Sequence, residues 1–223
     1  MILTDLSLIK KREAFDLIYR NLHQSIRAHS THVGTVTGVM ARKCQERLSK
    51  EYSLPENELD LNILRGGYTH DIGKHLLSYA LCQKTGAMNR IEQDAVRQHP
   101  CSAVLLLGEY ADVLFKNGGE KQIALDMALY HHERHDGSGY PNGFKGTEIP
   151  FLAQLCALAN GLDNLTGKTK RCRNFDSAAQ KISASKGLWF SPGAVDCFEA
   201  SLDEIRQLYT AKSSWTAAGA QGL

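Results

Sequence analysis

Several common signatures are missing from these 223 residues, and each absence narrows the class of protein. The six cysteines, at 44, 82, 101, 156, 172 and 197, include no Cys-x-x-Cys pair and lie in apolar or helical surroundings. That pattern predicts reduced thiols rather than a disulfide framework. The opening Met1-Ile2-Leu3-Thr4-Asp5 lacks the basic start and continuous apolar stretch of a signal peptide. No apolar run approaches the length needed to span a bilayer. A soluble, cytoplasmic protein is expected. Charge of one sign is also lacking: 26 Lys and Arg stand against 24 Asp and Glu, for a net charge of +2. Such a balance carries no electrostatic footprint for duplex DNA or an anionic membrane. Strand-like alternation is nearly absent, as are internal repeats and an interdomain linker.

What remains is helical. Hydrophobic residues make up 43% and charged residues 22%, an ordinary globular composition. Phe15, Ile18, Leu22 and Ile26 recur at spacings of three and four, which predicts an amphipathic helix over about 6–27. Val33, Val36 and Met40 continue the pattern to about Tyr52, and Pro55 opens a helix carrying Leu61, Leu64, Tyr68 and Ile72. Further helices are expected at about 89–99, 102–115, 120–133, 150–165, 176–186 and 192–210. Residues 134–149, with Asp136-Gly137-Ser138-Gly139-Tyr140-Pro141 and Asn142-Gly143, have loop chemistry, and 211–223 read as a frayed tail. The expected architecture is all-α and compact: an N-terminal helix over 1–28, a main domain over 29–205, and a helix end with a tail over 206–223.

The placement of the nine histidines says more than their number. His29 stands before the second predicted helix, His70-Asp71 near the end of another, His99-Pro100 at the end of a third, and His131-His132-Glu133 at the end of a fourth. A helical bundle builds metal sites from side chains projecting inward from facing helices. Imidazole suits Fe, Mn, Zn and Cu, and a carboxylate can bridge two ions, so a His-Asp pair fits a centre in which Asp71 bridges and His70 ligates. Any one of these histidines alone reads more simply as a core or surface residue; four helix ends together do not.

The ordered set of motifs resembles the HD-GYP family of cyclic dinucleotide phosphodiesterases, a branch of the HD superfamily. It runs over about 24–205: His29-Ser30 with Val33, then His70-Asp71-Ile72-Gly73-Lys74, then Lys84, Gly86 and Glu92, then His99-Pro100. His131-His132-Glu133 leading into Asp136-Gly137-Ser138-Gly139-Tyr140-Pro141, Ile149-Pro150, and Gly187 with Phe190-Ser191-Pro192 complete it. The resemblance implies a helical HD-domain bundle and hydrolysis of cyclic di-GMP or a related cyclic dinucleotide through a metal-activated water. It also implies at least two divalent ions, Fe or Mn first, with Mg, Ni or Zn as other candidates. By position, one ion takes His29, His70, Asp71 and residue 160, and the other takes Asp71, His99, His131 and His132. Lys74 then lies beside the scissile phosphate as a point charge. Lys170-Arg171-Cys172-Arg173 is similar to the family's Arg-Pro-Tyr-Arg, which makes Lys170 and Arg173 candidate phosphate contacts; a solvated basic loop is the other reading. The Gly-Tyr-Pro loop, with Tyr140, is implied to face substrate or a partner such as a GGDEF-type synthase, or simply to buttress the metal helix.

Four positions depart from the family pattern. Asn160 stands where the family carries a ligating aspartate, so the first ion loses an anionic ligand; Asp163, three residues on, matches a different family aspartate. Ser25 replaces a glutamate found in trinuclear members, which argues against a third ion. His32 and His135 stand where arginine and an aromatic residue are commoner, and outer roles are expected for both. The leading expectation is a metal-dependent phosphodiesterase. The alternative is an impaired relative that binds a nucleotide or signalling partner without turnover. The Gly-Tyr-Pro loop argues against a third reading, an HD phosphohydrolase acting on mononucleotides.

Overall fold

The computed structural model describes residues 2–167 and 174–210. Lys170 and Arg173, the two candidate phosphate contacts, lie outside them. Within the described residues the elements are α1 (Ile2–Asn21), α2 (Gln24–Ala41), α3 (Gln45–Tyr52), α4 (Glu56–Thr69), α5 (Tyr79–Cys82), α6 (Arg90–Arg97) and α7 (His99–Glu109). They continue with α8 (Ala111–Leu114), α9 (Gly118–Tyr130), α10 (Phe151–Thr166), α11 (Phe175–Ala184), α12 (Pro192–Glu199) and α13 (Leu202–Thr210). Short 3-10 turns follow α2, α4 and the Gly-rich loop. The described residues contain no strand, and no described helix is long and apolar enough to cross a membrane. The five described cysteines are free.

The structure divides some expected helices. The helix expected over 6–27 breaks at Leu22-His23, where His23 leaves helical geometry (φ −54°, ψ 139°) and its ring accepts from the Ser25 amide as an N-cap. His29 therefore sits inside α2, in its second turn, rather than before it. His99 opens α7 rather than ending α6, because Pro100 is tolerated in a first helical turn, where its missing N–H is not needed. The segment expected over 192–210 breaks after Glu199 into α12 and α13. At the start of α6, Asn89 and Glu92 form a reciprocal capping box, and Lys84 holds both Glu92 carboxylate oxygens at 2.6 and 2.7 Å. The Lys84 and Glu92 of the family pattern thus fix a helix start.

Two buried clusters organise the bundle. The larger packs Val33, Val36 and Met40 of α2 against Leu59 and Ile63 of α4, Ile123 and Met127 of α9, and Leu152 and Leu155 of α10. The smaller gathers Phe15 of α1, Ile26 of α2, Ile72, Ala103 and Leu107 of α7, and Ala124 and Ala128 of α9. Helix α9 serves both, with Ile123 and Met127 on one face and Ala124 and Ala128 on the other, so its C-terminal end emerges where the two clusters meet. Burial of such side chains is worth roughly 1.5–3 kcal/mol each, which anchors that end firmly. Helices α2 and α4 cross with backbone against backbone: a Cβ on Gly67 would lie 2.1 Å from Gly34 Cα.

Candidate metal centre

The ends of α4, α7 and α9 and one face each of α2 and α10 converge on Asp71. Its carboxylate is buried at 1% exposure, and its two oxygens divide the surrounding groups. Oδ1 lies 3.1 Å from His99 Nε2 and 3.6 Å from His131 Nε2. Oδ2 lies 3.6 Å from His70 Nε2, 3.8 Å from His29 Nε2 and 2.5 Å from Lys74 Nζ. Two groups of donors close enough to share an ion result: Asp71, His99, His131 and His132, and His29, His70 and Asp71. The division matches the one implied by the resemblance, with Asp71 common to both.

The far side of each ring is committed. Nδ1–H of His70 donates to Gly67 O at 2.7 Å, that of His99 to Val96 O at 2.6 Å, and that of His131 to Ala128 O at 2.9 Å. In a neutral imidazole whose Nδ1 donates to a carbonyl, Nε2 is left unprotonated. Burial pushes His70 well below the usual imidazole range and His131 down to about 4, so both are neutral near pH 7. Burial, reinforced by His131 and His99, also holds His132 well down. Burial works against charge on Asp71, but Lys74 and then the histidines overrule it and hold the carboxyl well below its ordinary range.

His99 Nε2 and His131 Nε2 are 3.1 Å apart, and His70 Nε2 and Asp71 Oδ1 are buried without a hydrogen-bond partner. Leaving such groups unpaired costs about 1–3 kcal/mol each, whereas a cation among them satisfies all of them at once. The donor set therefore fits divalent ions: imidazoles around a buried, shared carboxylate.

The sixth and seventh positions are less uniform. Asn160 Oδ1 lies 2.8 Å from His29 Nε2, so the amide does face the His29 end of the centre. It is held there by Asn164, whose Nδ2 donates to both the backbone oxygen and the side-chain oxygen of Asn160, at 2.8 and 3.0 Å. Sequence reasoning missed Asn164, although its i+4 spacing on α10 places it on the same face as Asn160. Asp163 is not a substitute ligand: it binds the opposite edge of the ring, accepting from His29 Nδ1 at 2.6 Å and from His32 Nδ1 at 2.8 Å. Those two contacts outweigh burial and hold Asp163 down at about 2. His32 thus stands behind His29.

Glu133, beside the paired histidines, turns away from the ions' place. Its Oε1 accepts from Asn142 N at 2.7 Å, which pins the loop after α9 back on itself. Within that loop Gly137 adopts φ +82°, and a Cβ on Gly139 would meet Arg134 N at 2.4 Å, so the tight turn admits only glycine there. Tyr140 then stacks on His132 with ring centroids 4.6 Å apart, and Arg97 covers the tyrosine at 5.3 Å. The loop's inner side buttresses His132; Asp136 and Ser138 on its outer side are exposed. Beyond His131, His132 and Asn160 opens a cavity of about 710 Å³ that extends to Lys181 and Trp189.

The HD domain family model matches residues 16–193. This chain belongs to the HD domain family. His70 and Asp71 lie within the matched residues, and Asp71 is shared by the two groups of donors. A 3'3'-cGAMP-specific phosphodiesterase of Vibrio cholerae is 31% identical over 192 residues, which are 85% of this chain and 35% of that protein. A cyclic di-GMP phosphodiesterase of Thermotoga maritima is 28% identical over 183 residues, 81% of this chain and 46% of that protein. The HD chain thus spans less than half the length of these curated relatives. Among solved structures, an HDG"Y"P protein from Bdellovibrio bacteriovorus shares the fold with a TM-score of 0.59 at 21% identity, covering 82% of this chain and 54% of that one.

Proposed function

We propose that this HD domain hydrolyses a phosphodiester bond in a cyclic dinucleotide, cyclic di-GMP or a related molecule, at a centre of two divalent ions. The observation that carries the reading is the convergence of imidazole Nε2 atoms on both oxygens of one buried carboxylate. The names of the relatives, cyclic di-GMP and 3'3'-cGAMP phosphodiesterases, supply the substrate class. When bound, the ions acidify an attacking water and offset charge developing on the phosphate. His29, His70, Asp71 and Asn160 would hold one ion, and Asp71, His99, His131 and His132 the other; iron or manganese suits this nitrogen-rich, carboxylate-bridged set. Lys74, at 2.5 Å from Asp71 Oδ2 and only partly buried, places its ammonium at the rim, where it can bind phosphoryl oxygens. Tyr140 acts by fixing the His132 ring. The outer side of its loop is the part open to a partner such as a GGDEF-type synthase.

The test is turnover of cyclic di-GMP and 3'3'-cGAMP by protein purified without oxygen and supplied with Fe or Mn, with metal counted on the same sample. Hydrolysis with about two ions per chain is the expected result. Metal-loaded protein that binds either nucleotide without cutting it would replace this reading with a nucleotide-binding module.

That second reading draws on Asn160, a neutral amide held at the centre by Asn164. The Asn160→Asp variant tests whether that amide weakens the centre. It keeps the shape and the Asn164 hydrogen bond while adding an anionic oxygen, so affinity for the ion at the His29 end should rise by about tenfold or more. Metal titration followed by elemental analysis reads this directly; an unchanged binding curve would show that position 160 does not ligate.

A further inference from the structure

The cavity beside the centre has a mixed lining. It includes His131, His132 and Asn160 of the centre, and also Trp189, Lys181 and the buried apolar side chains of Ile182 and Phe190. Its volume, about 710 Å³, falls in the range that holds small organic ligands, roughly 300–1,000 Å³. Trp189 is 48% exposed, unusual for so large an apolar group. It is nonetheless fixed: its carbonyl accepts from His135 N at 3.1 Å, and the Arg134 guanidinium lies over the indole at 4.3 Å. Arg134 follows directly on His131-His132-Glu133, so the loop that carries the ligand histidines also carries the cation resting on the indole.

We propose that Trp189, with Arg134 stacked on it, is a platform for one purine base of the substrate, in a cavity that Lys181 also lines. The inference rests on the cyclic-dinucleotide reading and adds to it the residues that receive a base. Every nucleobase offers a π-face, and stacking on an aromatic side chain needs no particular edge pattern. The planar guanidinium adds a cation to that stack, which favours the electron-rich purine. An apolar slot joined to a polar centre suits a molecule whose phosphate and base differ in the same way. Trp189 here is a binding residue: it contributes to holding the substrate and takes no part in bond cleavage.

The chain has two tryptophans, Trp189 and Trp215, so a Trp215→Phe background leaves Trp189 as the sole indole. In that metal-loaded protein, cyclic di-GMP should quench or shift the indole emission with the same midpoint as calorimetric binding, whereas inorganic phosphate should leave it unchanged. Trp189→Leu should weaken cyclic di-GMP binding by roughly 10- to 100-fold, Trp189→Phe by severalfold at most, and neither should alter metal content. The Phe variant guards against a folding defect, because it keeps a ring in the same place. Binding by Trp189→Leu as tight as the parent's would overturn the platform and leave the phosphodiesterase reading standing. Absence of any binding of cyclic di-GMP or 3'3'-cGAMP to the metal-loaded parent would overturn both.

Discussion

Asp71→Ala should strip the centre of both ions together and lower cyclic dinucleotide hydrolysis by at least about a thousandfold. The size follows from what is removed: a shared anion whose two oxygens face His99 and His131 on one side and His29, His70 and Lys74 on the other. Losing several kcal/mol of charge stabilisation at the transition state corresponds to a loss of this order. Asp71→Asn is the sharper companion, because it preserves volume and removes only the charge. Both should read near zero by elemental analysis under conditions that load the parent protein. A variant that kept one full ion and lost only the other would show that Asp71 serves one group and does not bridge.

The parts of this centre visible in the sequence were those tied to local rules. Apolar residues at helical spacing disclosed an all-helical chain, and His70-Asp71 and His131-His132 stood at helix ends because those ends interrupt the pattern. The order of the motifs singled out the side chains that the structure brings together around Asp71. What could not be read was side-chain direction across long separations. Asp163 lies three residues from Asn160, yet it reaches the opposite edge of His29, a contact spanning 134 residues of sequence that also captures His32. The break at His23 was equally hidden, since Phe15, Leu22 and Ile26 hold helical spacing straight through it and all enter the same cluster. The role of Trp189 needed the cavity, which no spacing reveals.

Gly67→Ala should be among the most damaging single methyl groups added to the fold. A Cβ there would meet Gly34 Cα at 2.1 Å and Gly34 N at 2.7 Å, backbone atoms that cannot rotate away. Helices α2 and α4 would have to separate, at a cost of about 3 kcal/mol or more, near the upper end for overpacking. For a domain of this size that is a fall in melting temperature of roughly 6–12 °C. Gly34→Ala gives the contrast: its Cβ would lie 3.1 Å from Leu64 O and 3.2 Å from Gly67 Cα, so a smaller shift suffices and a fall less than half as large is expected. Because Gly67 O also orients the His70 ring, Gly67→Ala should lose metal affinity even in the fraction that folds. Thermal unfolding with and without added Mn measures both effects; equal melting temperatures for the two alanine variants would show that the crossing has slack.

The donors around Asp71 come from widely spaced parts of the chain, and His29 and Asn160 alone are 131 residues apart. In polymer terms, an ion shared among them is a staple across long loops, closing rings that an unfolded chain must reopen. The unfolded chain holds no ready-made cage, so each increment of ion affinity is also an increment of folding stability. On the proposed reading, supply of the ion would set two things at once: how much of the chain can react, and how much of it stays assembled.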